Sequence, residues 1–93
     1  MWEVYEHRRV SGRVSRLPTE ILKRYEKWKD IVTISGPRGL RAIKGFHDEA
    51  LWGKWKGCRS SRLGLQFRVI YQIEAQEILI LVFDITAHDY RRK

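Results

Sequence analysis

The stretch KWKGCRSSRLGLQFRVIYQIEAQEILILVFDI, residues 54–85, decides the fold. Phe67, Val69, Tyr71 and Ile73 alternate with Gln66, Arg68, Ile70 and Gln72. That period of two puts one set on each face of a strand. EILILVFDI (77–85) is apolar almost throughout, which predicts a strand inside the sheet with both faces largely covered. Upstream, residues 54–63 read as a partner strand, turning near Gly64 into 65–74. Five cations sit in this hairpin: Lys54, Lys56, Arg59, Arg62 and Arg68. Charge belongs on a wet strand face, so Arg68, between Phe67 and Val69, calls for a specific anion.

Working outward, WEVYE (2–6) alternates and reads as a first strand. Val10, Val14 and Leu17 then fall at i, i+4, i+7, which predicts a helix over 7–16 that Gly12 weakens. Pro18 suits the first turn of a second helix, and Ile21, Leu22, Tyr25, Trp28 and Val32 form its apolar face to about residue 34. Gly36 and Pro37 read as its stop. GPRGLRAIKGF (36–46) reads as a loop or broken turn, and 46–51 as one helical turn or an ordered loop. The order β-α-α-β-β-β predicts an α+β fold in a single domain spanning 1–93. Two N-terminal helices pack on one face of a mainly antiparallel four-stranded sheet. The other face is left open for strand-borne cations.

Composition narrows the partners. The 93 residues carry 19 Lys+Arg against 11 Asp+Glu, a formal net charge of +8. A small domain this basic meets nucleic acid, an acidic protein or an anionic membrane, the alternative being a solubilising surface. Cys58 is the only cysteine, so an intrachain disulfide is excluded and a Cys/His zinc site is disfavoured. The start MWEVYEHRRV lacks the apolar stretch of a secretory leader. The longest apolar run, Ile78 to Phe83, is too short to span a bilayer. The expectation is a cytoplasmic protein with no membrane partner. The Walker loop, the GxSxG elbow, the HExxH helix and paired CxxC motifs are all absent from the sequence.

Several residues could carry chemistry. Lys54, Lys56, Arg59, Arg62 and Arg68 on strands could bind consecutive phosphates, or line a solvated sheet face. For Arg68 the competing reading is an internal salt bridge to Asp84 or Glu74. His88, just past the last strand, is placed to move a proton near neutral pH, and Tyr90 to stack on a base or donate a hydrogen bond. His47, Asp48 and Glu49 form a second polar cluster. Either carboxylate could serve as a general base, although capping of a short helix is the favoured reading. Trp52 and Trp55 flank Gly53-Lys54 and could stack on nucleobases, with packing favoured.

GFHDEALWGKWKGCRSSRLGLQFRVIYQI, followed by ILILVFDITAHDYRR, resembles the RelE/ParE superfamily, and more narrowly the RelE and HigB-like toxins of type II toxin–antitoxin systems. The likeness covers about residues 45–92 and rests on the combination W-K-G-x-R-S-S-R-L, F-R-V-I-Y and a terminal H-D-Y. It implies a cytoplasmic endoribonuclease that cleaves mRNA in the ribosomal A site without a metal or other cofactor. It also implies a cognate antitoxin held in a hetero-oligomer. By the same resemblance Arg68 contacts the scissile phosphate, Lys56 is a catalytic lysine, and His88 and Tyr90 complete the catalytic set. Lys54, Arg59, Arg62 and Arg91 then contact RNA of the message or the ribosome, and the general base stays open. The rivals are a ParE-like gyrase poison of the same fold and a non-catalytic RNA-binding module.

Overall fold

The computed structural model describes residues 1–87, so His88, Tyr90 and Arg91 lie outside the described residues. The architecture is the expected α+β arrangement, with one strand more than the sequence predicts. In chain order the elements are β1 (Glu3–Glu6), α1 (Arg8–Val14), α2 (Thr19–Ala42), β2 (Glu49–Ala50), β3 (Arg59–Arg62), β4 (Arg68–Glu74) and β5 (Leu79–Thr86). They form a five-stranded sheet in the order β1-β5-β4-β3-β2. The added strand, β2, is two residues at the sheet edge, too short to leave a pattern in sequence.

β5 is an interior strand, as its apolar run requires. It pairs antiparallel with β4 and parallel with β1. The parallel pair exists because both helices and three strands intervene between β1 and β5, enough chain for a crossover. The β4–β5 ladder runs from Arg68 opposite Thr86 to Glu74 opposite Leu79, with a register shift that places Ile70 opposite Asp84 and Tyr71 opposite Val82. Phe83 is the extra residue of that bulge.

Both helices deliver side chains to one core. Val10 of α1 and Tyr25, Trp28, Val32 and Leu40 of α2 join Val69, Tyr71, Ile80, Val82 and Ile85 of the two central strands. Trp28 anchors the group, stacked on Tyr25 at 5.9 Å and edge-on to Tyr71 at 5.3 Å between ring centres. Burial of such rings is the main stabilising term, about 25 cal/mol per Å² of apolar area removed from water. α1 is shorter than the expected 7–16; His7 caps it, its Nδ1 accepting from the Arg9 amide at 3.2 Å.

The largest departure is at Gly36-Pro37. The chain leaves helical geometry there (Gly36 φ 70°, ψ −174°), but helix resumes at once and runs to Ala42. Left-handed glycine ends one helix and proline suits the first turn of the next. Both signals were legible, yet their sum is a kink rather than a loop, because buried Pro37 and Leu40 hold the second segment on the core. Trp2 fills the space at the kink, and a Cβ on Gly36 would lie 2.6 Å from its Nε1. Among the described residues no helix is long and apolar enough to cross a membrane.

Two core tyrosines make stability sensitive to alkali. Burial, then a 2.5 Å hydrogen bond from the Tyr25 hydroxyl to Glu6, raises the Tyr25 pKa far above its ordinary value of 10.0. Burial and the charge of Asp48 do the same for Tyr71, with Arg59 pulling the other way. A raised folded pKa means that the contribution is complete below the unfolded value and lost as pH climbs past it. The unfolding free energy from urea titrations should therefore hold steady from pH 7 to 9 and fall above about pH 10, by up to roughly 1.4 kcal/mol per pH unit for each phenol. Tyr25→Phe with Tyr71→Phe should flatten that decline; a slope unchanged in the double variant would rule these phenols out as its cause.

Candidate functional site

The hairpin register sorts the cations by face. Arg62 stands directly opposite Arg68, which stands opposite Thr86. Ser60 stands opposite both Ile70 and Glu49. Directly opposed residues share a sheet face, and so do residues two apart. Glu49, Ser60, Arg62, Arg68 and Ile70 therefore occupy one face. Arg59 and Ser61 lie opposite Tyr71 and Val69, on the face toward the helices.

Arg68 is held rather than displayed. It is only 5% exposed, its Nη1 donates to Ser60 Oγ at 3.1 Å, and Glu49 Oε2 forms an ion pair with it at 3.5 Å. An internal ion pair is present, as the competing reading held, but its carboxylate is Glu49 from the edge strand rather than Asp84 or Glu74. Asp84 instead accepts from Arg13 of α1 and from the Ile85 amide. Like charges directly opposite destabilise a sheet, so Arg62 beside Arg68 is a local cost of folding. Among the described residues Arg62 has no ion-pair partner, which leaves its charge for a ligand. A bulky anion at this face would meet two guanidinium groups of which one is already fixed in place.

On the other face Asp48 is the hub. Its side chain is fully buried and accepts from Arg59 Nε at 2.7 Å, from Ser61 Oγ at 2.6 Å and from the Tyr71 hydroxyl. It is thus neither a helix cap nor placed as an open base. Burial works against the charge on Arg59, but the hydrogen bond and charge of Asp48 outweigh it and raise the Arg59 pKa. Arg59 is engaged inside the protein, away from Arg68.

The segment expected to begin a strand at residue 54 is instead a closed loop. Gly53–Trp55 is a short 3-10 turn ended by Lys56, and the strand starts only at Arg59. Lys54 and Lys56 are exposed there, and Trp52, expected to pack, is 67% exposed. Among the described residues no three His, Cys, Asp or Glu side chains gather as metal ligands.

Solved structures share this architecture over nearly the whole chain. The RelE of an archaeal RelE–RelB complex from Pyrococcus horikoshii superposes with a TM-score of 0.72 at 24% identity, covering 99% of this chain and 97% of that one. This chain has the RelE/ParE toxin fold. A YoeB/ParE toxin from Agrobacterium tumefaciens gives 0.75 at 12% identity, with 94% and 99% covered. The toxin chain of a YoeB–YefM complex from Staphylococcus aureus gives 0.73 at 12%, with 96% and 99% covered. No protein-family model and no curated protein matches the sequence. Within the RelE-like fold the order of helices before hairpin brings Glu49 and Arg68 together from 19 positions apart. Sequence reasoning singled out Arg68 but missed Glu49 as its partner and Asp48 as the anchor of Arg59. The His47-Asp48-Glu49 cluster was visible as a signal; the side-chain partners were not.

Proposed function

We propose that the protein is the toxin of a toxin–antitoxin pair and cleaves mRNA on the ribosome. The observation that carries this reading is Arg68, buried and clamped by Ser60 and Glu49, beside Arg62, which has no ion-pair partner among the described residues, on the sheet face turned away from the helices. The fold is that of proteins solved as toxin–antitoxin complexes, which supports a toxin role and an acidic antitoxin as partner for a chain of net charge +8. Its site of action is then the cytoplasm, in a single-domain protein.

In the reaction the ribose 2′-oxygen attacks the adjacent phosphorus as its proton leaves to a base. The P–O5′ bond breaks, the 5′-oxygen takes a proton, and the products are a 2′,3′-cyclic phosphate and a free 5′-hydroxyl. Arg68 stabilises the extra negative charge on the phosphoryl oxygens, with Arg62 and Lys56 assisting. His88 is assigned to proton transfer and Tyr90 to orienting a base, both by family resemblance. Arg91 and Lys54 contact RNA backbone. Arg59 is reassigned from RNA contact to holding Asp48. Placement of the reacting atoms by the ribosome contributes further, up to about 7–11 kcal/mol for well-oriented reactants.

Brief induction followed by mapping of mRNA 3′ ends tests the proposal. Cuts within translated codons, lost when initiation is blocked, are expected. DNA breaks with intact mRNA would instead establish a gyrase poison, and arrest without cleaved product a non-catalytic RNA binder.

A further inference from the structure

The loop between Leu51 and Cys58 presents an aromatic ring for which the fold has no use. Trp52 follows Leu51, which is 2% exposed, yet its own side chain is 67% exposed. The loop is built to stay in place. The Leu51 amide donates to the Cys58 carbonyl at 2.9 Å and closes it. Inside, the Trp55 amide donates to Trp52, Lys56 to Gly53 and Cys58 to Trp55, at 3.3, 3.1 and 2.9 Å. Gly57, at φ 98°, makes the return that other residues resist. Below the loop the β2–β3 ladder and the Asp48–Arg59 ion pair fix its base.

We infer that this loop is a base-stacking platform for single-stranded RNA, with a nucleobase on the exposed indole of Trp52 and phosphates on Lys54 and Lys56. Lys54 and Lys56 are exposed and, among the described residues, form no ion pair. No acidic residue occurs from Ala50 to Ile73, so nothing in the segment repels a phosphate. Along the chain Trp52 lies between buried Leu51 and exposed Gly53, with exposed Ala50, Lys54 and Lys56 and half-buried Trp55 within four positions. A protein partner would need a contiguous apolar centre around the ring, and these neighbours do not supply one. A lone π-face among cations suits a stacked base with its backbone, a mode that tolerates any sequence. Pre-ordering of the loop reduces what binding must immobilise.

The loop also lies beside the cleavage face. Trp52 is three residues beyond Glu49, whose carboxylate pairs with Arg68 at 3.5 Å, and three residues span at most about 10 Å of chain. A base on Trp52 would belong to a nucleotide near the one whose phosphate meets Arg68. The inference rests on the RNA-cleaving reading and adds how the substrate is gripped.

The test uses the full chain and a single-stranded 2′-O-methyl oligoribonucleotide, which binds but cannot be cut. Trp52→Ala should weaken binding roughly 5- to 150-fold, the range for losing one stacked base. Trp52→Phe should recover most of it. The salt dependence should be unchanged in Trp52→Ala, since stacking releases no counterions, and reduced by about 0.7 in log–log slope in Lys54→Ala. Wild-type affinity in Trp52→Ala, or no binding by the wild-type chain, overturns the inference. So does a loss confined to antitoxin binding, which would make Trp52 a protein contact. Should Trp52→Ala misfold, quenching of indole emission by the oligonucleotide in wild type but not in Trp52→Phe decides the matter. Cleavage of ribosome-bound mRNA by the same preparations separates the two readings. A wild-type chain that cuts, with Trp52→Ala binding equally well, removes the stacking platform alone. A wild-type chain that does not cut removes the nuclease reading.

Discussion

Arg68→Ala should lose about 10²–10³-fold in cleavage of ribosome-bound mRNA, the usual effect of removing one well-placed stabiliser of developing charge. The geometry behind this is the burial of Arg68 to 5% exposure, with Ser60 at 3.1 Å and Glu49 at 3.5 Å fixing its guanidinium. Removing the cation also touches stability, on the order of 1–3 kcal/mol for a truncated buried side chain. Glu49 adds to that cost, because its side chain is 39% exposed as a whole but the Oε2 that faces Arg68 is itself buried. Arg68→Met keeps most of the stem and loses the charge, so its activity should fall as far as that of Arg68→Ala with less loss of stability. Arg68→Lys keeps a charge without the planar fork and should fall between. Single-turnover cleavage and urea unfolding on the same variants separate the two effects. Activity within a few-fold of wild type in a folded Arg68→Met would remove Arg68 from the catalytic set.

Asp48→Ala should be the most destabilising single change in this region, by about 3–5 kcal/mol. Its side chain is fully buried, and three donors from β3 and β4 converge on it: Arg59 Nε, Ser61 Oγ and the Tyr71 hydroxyl. Truncation strands all three, and Arg59, with 22% of its side chain exposed, keeps a charge that water only partly reaches. For a domain whose whole stability is about 5–15 kcal/mol, that is enough to populate the unfolded state at ordinary temperature. Asp48→Asn retains an acceptor oxygen but loses the charge, and should cost less, on the order of 1–3 kcal/mol. Equilibrium unfolding in urea measures both. A loss below about 1 kcal/mol in Asp48→Ala would show that the network is hydrated or replaceable. The change should also free the loop that carries Trp52, Lys54 and Lys56, because the Asp48–Arg59 pair closes its base.

Much of this architecture can be read from one-dimensional pattern. Alternation in 67–73 and the apolar run in 77–85 are direct records of burial, because strand side chains have a period of two and an interior strand is covered on both faces. The apolar face of α2 is equally plain, since Tyr25, Trp28 and Val32 recur at helical spacing and all three are buried. Local signals become ambiguous where one residue pair supports two outcomes. Gly36-Pro37 is compatible with a stop and with a kink, and the choice was made by Leu40 finding the core. Likewise 54–58 is too short and too basic for its state to follow from propensity, and hydrogen bonds across the loop settle it as a turn.

Sequence alone determined the α+β class, the inner strands, the basic character and the presence of a cation, Arg68, within the apolar strand pair. Tertiary structure decided which charges are available. Arg62 and Arg68 share a face, whereas Arg59 points to the other and is neutralised by Asp48. Strand parity depends on the exact register across the turn, and a slip of one residue would exchange the two faces. The partners of buried charges depend on contacts between residues distant in the chain, as in Arg13 with Asp84 and Arg68 with Glu49. Charge is written in the sequence, but its pairing is a property of the fold.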